Sequence, residues 1–593
     1  MNRSLLARVV EGVIAAFLLG GFLFLKTYSF HPTATDDWIY AYLAQRVSEG
    51  AWPYRDFFFA HPPLHLFALV PTLSISGFDV VGVRLSASLG CLAAGICLWR
   101  AVRRLGGPWA GLIALFAFLF SMDVLRASSH ITGTNLSLAF LSGGAWAFTA
   151  SRPKIGAALF AAAGLVAFYV LPVAFGIFAL HAWRQRRRAL PSIVVFLAVF
   201  VGVQAVVAAP APSAYLDGVY RYHGMKKASP TRSERTWTRS LAYHPLGVAS
   251  VPLAVGGWLA LLATSGATGA TARKTTRAAT RAARRERSAS ESERSDRDER
   301  RESSVDHRLS VGLGAALILT ALELAALLSL RELYAYYLML LHALTAVLLG
   351  LGAAACFVAV QRMRESRNRS RGVVVLALTA VACVGAWALR PNETAFLREG
   401  GASRKTWESS VLGGPFDAMT KALFWRKEHH FGSPPNSITM YLWHEASHLR
   451  FIDDAVAAIR ARARPGDLCV GDSQIGPLLA LRSGLRIVDD EADTNIKRFS
   501  SGLFSLPEFL LRIDRPEVRF VFVAEKRYVD SLAPFLTWRK ENFAPIYQRL
   551  DESNHLLIAA ERRVGGASDA PAPAVEPPRG AEGPDGAPED DVD

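Results

Sequence analysis

Asp36 and Asp37 stand side by side shortly after the first apolar run, within His31 to Leu66, which reads HPTATDDWIYAYLAQRVSEGAWPYRDFFFAHPPLHL. An ionised carboxylate is costly to hold beside lipid unless it is used, and Trp38, Tyr40, Trp52 and Tyr54 around the pair favour a membrane–water boundary. Carboxylates in that setting can take a proton from a hydroxyl or couple an ion to transport. A solvated loop with interfacial aromatics is the bland alternative.

The elements that position these acids must be membrane helices. With 51% hydrophobic residues, a mean hydropathy of +0.22 and repeated long apolar runs, the chain cannot fold around one aqueous core. The runs are Val9 to Leu25, Val80 to Trp99, Trp109 to Met122, Asn135 to Ala150, Ile155 to Trp183, Leu190 to Ala209, Leu246 to Ala263, Leu309 to Leu330, Tyr336 to Val360 and Val373 to Leu389. They predict a polytopic α-helical membrane protein of about 10 to 12 transmembrane helices. Ile155 to Trp183, with Pro172 inside it, is too long for one span and reads as two short helices. The first run, with no small-residue cleavage site after Leu25, reads as an uncleaved signal anchor.

Lys and Arg mark the cytoplasmic side. Arg3 with Arg8, Arg100 to Arg104, Arg152 with Lys154, Arg184 to Arg188, Arg273 to Arg308 and Arg362 to Arg371 fit an N-terminus inside, with Asp36 and Asp37, the loop Pro210 to His244, Arg331 to Ala335 and everything after Arg390 outside. Pro62 to Gly77 is then a juxtamembrane helix. The domain plan is a membrane domain over 1–389, a first outer loop with juxtamembrane helices over 29–79, and a disordered cytoplasmic loop over 264–308. An extracytoplasmic α/β domain follows over 390–563, then a disordered acidic tail over 564–593. In the α/β domain, helices are expected at Asp453 to Ala463 and Pro477 to Leu481. Strands are expected at Asp467 to Gly471, Leu485 to Val488, Val518 to Ala524 and Leu556 to Ala560.

The net charge of +15 borders the spans, where orientation explains it, so nucleic acid is not an expected partner; anionic lipid is. Five cysteines without CxxC spacing imply neither a disulfide framework nor a cysteine metal site. His444, Glu445 and His448 form a literal HExxH, but the HxxGxxH continuation is absent. Gly471, Asp472 and Ser473 echo a nucleophile turn and read better as the end of a strand. No phosphate-cradling glycine loop is present.

Asp36, Asp37, Tyr40 and Ala41, then His61, Pro62, Pro63 and Leu64, then Gly77, Arg84 and Leu85 form a spaced set of matches. The pattern resembles the GT-C superfamily of integral-membrane glycosyltransferases, in the branch of protein O-mannosyltransferases and lipid A aminoarabinose transferases. There the first outer loop opens on D-E-x-x-Y-A and later carries a basic residue before Pro-Pro-Leu. Here Asp37 replaces the Glu and His61 the Lys. The resemblance covers about the first hundred residues, fades over the later spans and carries no motif into the C-terminal domain.

It implies transfer of a sugar from a polyprenyl-phosphate donor to an extracytoplasmic acceptor (protein, lipid or glycan), with inversion, in a bacterial inner membrane. Such a transfer needs a carboxylate to take the acceptor proton and cations to receive the leaving phosphate. Asp36 suits the base, with Asp37 beside it. Arg55, His61, Arg84, and Arg331 with Tyr334, Tyr336 and Tyr337 suit the phosphate, Lys226 and Lys227 less well. Arg55 could instead pair with Asp56, Arg84 could be a packing or orientation charge, and the tyrosines could be an aromatic belt. No cofactor is required by the pattern, and a divalent metal is an open alternative. A lipid flippase using the acids for coupling and a zinc protease using HEASH are the other classes.

Overall fold

Prolines, glycines and one capping aspartate decide where the apolar runs break. The computed structural model describes residues 3–27, 36–225, 230–244, 246–264, 289–365, 369–389, 449–550 and 556–563 of the 593. Asp79 caps the helix Val80–Gly106 by accepting the Gly82 N–H at 2.9 Å, and Gly77, at φ +96°, ends the preceding helix Leu64–Ser76. That helix has 13 residues. The doubled run divides at Ala167, which is extended (φ −155°, ψ 122°): Pro153–Val166 ends there and Leu171–Arg184 begins with Pro172 in its first turn.

Among the described residues, six helices are long and apolar enough to span a membrane: Leu5–Phe24, Val80–Gly106, Ala189–Ala208, Leu246–Thr264, Asp306–Leu328 and Leu338–Arg364. Shorter helices lie in other apolar runs, among them Pro108–Leu119 and Thr134–Thr149. The chain is a multi-pass membrane protein. Small residues let its helices approach closely: a Cβ on Gly144 would meet the Phe160 ring at 2.5 Å, and one on Gly156 the Phe148 ring at 2.4 Å.

One expectation changes. Where an unstructured loop is expected over 264–308, the helix Ala289–Leu328 already begins at Ala289. Its charged half spaces acids and bases four apart, as in Glu293 with Arg297 and Asp296 with Arg300, a pattern that supports helix where composition alone suggests disorder. Residues 265–288, the tail 564–593, Lys226 with Lys227 and the HEASH segment all lie outside the described residues.

The C-terminal domain contains a five-stranded sheet in the order β2-β1-β3-β5-β4, with β1 Leu468–Gly471, β2 Arg486–Ile487, β3 Val518–Ala524, β4 Phe543–Leu550 and β5 Leu556–Arg562. β1, β2 and β3 run parallel, while β5 is antiparallel to both β3 and β4. Alternation along β3 sends Val521 and Val523 into a cluster with Phe509 and Phe535, and Phe520 and Phe522 into the opposite one. That second cluster continues through Leu478 and Leu479 to Trp38 through Ala44, so the sheet domain and the helix Asp37–Ser48 share one core.

Candidate functional site

Asp37 is the fixed point of the site. Only 2% exposed, it accepts the His130 Nδ1–H at 2.7 Å on Oδ2 and the Ile131 backbone N–H at 2.7 Å on Oδ1. Burial alone would push its pKa up. The His130 contact, the nearby Arg84 guanidinium and the Ile131 amide outweigh that cost and hold the carboxyl below its ordinary range. Arg84, itself buried, donates to the Ser129 carbonyl at 2.7 Å. The segment Ser128–Ile131 is therefore braced by Arg84 from one side and Asp37 from another.

Asp36, one residue earlier, is only half-buried and its side chain does not cap the helix that follows it. Its carbonyl accepts the Ile39 N–H at 3.1 Å. Its charge reaches Tyr40 and Tyr222: burial, followed by Asp36 and Asp493 on the first phenol and by Asp493 and Asp36 on the second, raises both above the usual tyrosine value and keeps them neutral hydrogen-bonding groups. Tyr40 Oη and His61 Nε2 share a hydrogen bond of 2.9 Å, and the Tyr54 hydroxyl donates to the His61 carbonyl at 2.6 Å. The His223 ring lies 5.8 Å from that of His61 and donates to the Ala60 carbonyl. Four predicted residues, Asp36, Asp37, Tyr40 and His61, thus come together, with Arg84 behind Asp37.

Arg55 is paired with Asp56. It is half exposed and makes two N–H bonds to Asp56, at 2.8 and 2.7 Å, while Asp56 accepts the Trp52 N–H at 2.6 Å. That is the loop-shaping pair.

The predicted segment after Arg331 is tied to the sheet domain. Glu332 accepts Lys497 Nζ at 2.8 and 2.9 Å, Arg232 at 2.9 Å and the Tyr334 hydroxyl at 2.8 Å. Arg331 donates to the Gly224 carbonyl at 2.6 Å. The Tyr337 ring packs 4.7 Å from Tyr169 and Tyr336. The domain grips the acidic helix as well: Tyr42 donates to Asp490 at 2.7 Å, Arg46 to the same oxygen at 2.9 Å, and the Ile487 N–H to Tyr42 at 2.9 Å. The Arg498 guanidinium sits 4.0 Å from the Phe58 ring centroid in the first loop.

Sequence reasoning missed His130, Glu332, Lys497, Asp493 and the set Asp123, His244 and His342. Of these, the last three carried a signal, since ionisable groups at the ends of apolar runs are functional candidates by default. Their donor atoms are compatible with a divalent metal.

The helical membrane bundle, its acidic loop helix and the small sheet domain that shares a core with that helix form a fold found among solved structures. The crystal structure of ArnT from Cupriavidus metallidurans bound to undecaprenyl phosphate is similar over 93% of this chain and 97% of its own, with TM-score 0.53 and 13% identity. The apo state of the same protein gives TM-score 0.51 and 14% identity over 94% and 98%. The oligosaccharyltransferase from Archaeoglobus fulgidus in the apo form covers 87% of this chain and 70% of its own, with TM-score 0.38 and 12% identity. No protein-family model and no curated protein matches the sequence.

Proposed function

We propose that this chain transfers a sugar from a polyprenyl-phosphate donor to an acceptor hydroxyl on the extracytoplasmic side of a bacterial inner membrane, with Asp36 as the base. In this reading the N-terminus is cytoplasmic and the sheet domain periplasmic. The observation that carries it is the division of labour in the acidic pair: Asp37 is buried and committed to His130 and Ile131, while Asp36 next to it stays half-buried beside Tyr40 and Tyr222. The undecaprenyl phosphate bound by ArnT, a protein of the same fold, supports the donor class.

Asp36 takes the proton of the acceptor hydroxyl. The acceptor oxygen bonds to the anomeric carbon as the bond from that carbon to the phosphate oxygen breaks, and the electron pair leaves with polyprenyl phosphate. One carboxylate acting opposite the leaving group inverts the anomeric centre. The phosphate charge falls to His61 and Arg331, with Tyr334 and Tyr337 as hydroxyl donors, while Arg84 holds Asp37 in place. Lys497, bonded to Glu332 and Tyr334, makes the sheet domain part of the phosphate side of the site.

The test supplies purified protein in nanodiscs with radiolabelled polyprenyl-phosphate sugars and cell-envelope acceptors, comparing wild type with Asp36→Asn. Transfer or slow donor hydrolysis that vanishes in the folded variant supports the reading. Equal turnover in both overturns Asp36 as the base.

A further inference from the structure

Three separate segments bring Asp123, His244 and His342 into one buried cluster. Asp123 lies on the short helix Met122–Ala127, His244 directly follows the helix Pro230–Tyr243, and His342 is one turn into the helix Leu338–Glu365. The three are 4%, 7% and 4% exposed, and one donor atom from each lies within 4.8 Å of the other two. His342 Nε2 is 2.8 Å from Asp123 Oδ2, which also accepts the Ser240 hydroxyl at 2.8 Å. The His244 and His342 rings stack with centroids 3.6 Å apart, and His244 Nε2 is buried without a hydrogen-bond partner. A buried imidazole nitrogen left unpaired is a cost that some occupant normally removes.

We infer that Asp123, His244 and His342 are the protein ligands of a divalent transition metal of the zinc class, held by two imidazole nitrogens and one carboxylate oxygen. Magnesium and calcium favour all-oxygen sets, whereas this mixed set suits zinc and its neighbours. A bound metal would take the Nε2 lone pair of the Nδ1-protonated tautomer of His342, in place of the hydrogen bond to Asp123. Ser240 then orients the carboxylate from outside the ligand set. The role follows from the segments joined. Met122–Ala127 runs on into Ser128–Ile131, which holds Asp37, and His342 follows closely on Ala335–Tyr337. The metal would fasten these two walls of the Asp36 site to each other and to the segment before Leu246. The inference stands whether or not the chain transfers sugar.

The experiment uses the full chain purified in detergent, stripped with a chelator and titrated with Zn2+ and, separately, Co2+. We expect uptake of about one equivalent of Zn2+, visible absorption bands from the Co2+ form, and a rise in melting temperature on loading. All three are lost in His244→Gln/His342→Gln, which elutes as a single folded species. X-ray absorption of the zinc-loaded wild type, which needs no variant, should show two imidazoles and oxygen in the first coordination sphere. Absence of uptake and of cobalt bands in the wild type overturns the inference, as does a first sphere without imidazole or full metal content in the double variant.

Discussion

Asp37 in the acidic loop helix and Asp472 in the sheet domain are both buried aspartates that accept backbone N–H bonds, and their protonation goes opposite ways. Asp472 receives the Gln474 and Ile475 amides at 2.9 Å each and the Ala524 amide at 2.8 Å, yet burial dominates and raises its pKa to about 6. Asp37 has one amide, but His130 and Arg84 are beside it and hold it below the ordinary range despite the same burial. The difference is that three amides do not outweigh burial at Asp472, whereas His130 and Arg84 together with one amide do so at Asp37. At the end of β1 the carboxylate closes a turn. Beside Asp36, an ionised carboxylate keeps the helix, His130 and Arg84 locked around the place where chemistry is proposed.

The strongest way to break this contrast is Asp37→Ala. It leaves His130, Arg84 and the Ile131 amide facing a hole, and removing one member of such a buried charge network costs about 3–5 kcal/mol. A lower melting temperature and loss of monodisperse protein should follow, whereas the same change at half-buried Asp217, paired with exposed Arg221, should leave the melt nearly unchanged.

Asp472 sharpens the contrast through pH. Its folded-state pKa is raised above the unfolded value, so the stability contributed by its protonated form is fully present below the ordinary value of 3.8 and is lost as pH rises through about 6. Asp472→Asn removes that dependence and adds a pH-independent cost at the Ala524 amide. Melting temperatures measured from pH 4 to 7.5 should show the wild type losing ground to the variant, by at most about 3 kcal/mol, since each tenfold change in proton affinity is worth about 1.4 kcal/mol. Parallel curves would mean that Asp472 carries its charge throughout.

The smallest effect is expected at Tyr40→Phe. It removes one hydrogen bond to His61 worth about 1 kcal/mol, and should lower kcat/KM on the order of five-fold with no change in folding. An unchanged rate would place His61 outside the phosphate side of the site.

The division of Ile155 to Trp183 was legible because local chemistry determines it: a proline inside a run too long for one span. β3 was legible at its full extent because seven residues with a buried apolar pattern carry a strand signal by themselves. β4 was missed because Pro545 and the polar Gln548 and Arg549 interrupt it. The fold accepts the proline through a register irregularity between Pro545 and Tyr547. His130 gave no local signal: it lies 93 residues from Asp37 in a loop of small polar residues, and only the packing of the helices makes it a partner. Lys497 and Glu332, 165 residues apart, meet because two domains dock. The HEASH motif, conspicuous in the sequence, lies outside the described residues.

The central claim is that adjacent carboxylates have been given different work. Single-turnover cleavage of a polyprenyl-phosphate sugar should therefore be followed in wild type, Asp36→Asn and Asp37→Asn, each checked by melting temperature. The account predicts that Asp36→Asn melts like the wild type and is slower by roughly 10²–10⁴-fold, the range of a lost general base, while Asp37→Asn melts earlier. An Asp36→Asn protein that cleaves donor at the wild-type rate, or a stable Asp37→Asn protein that alone is inactive, would contradict it.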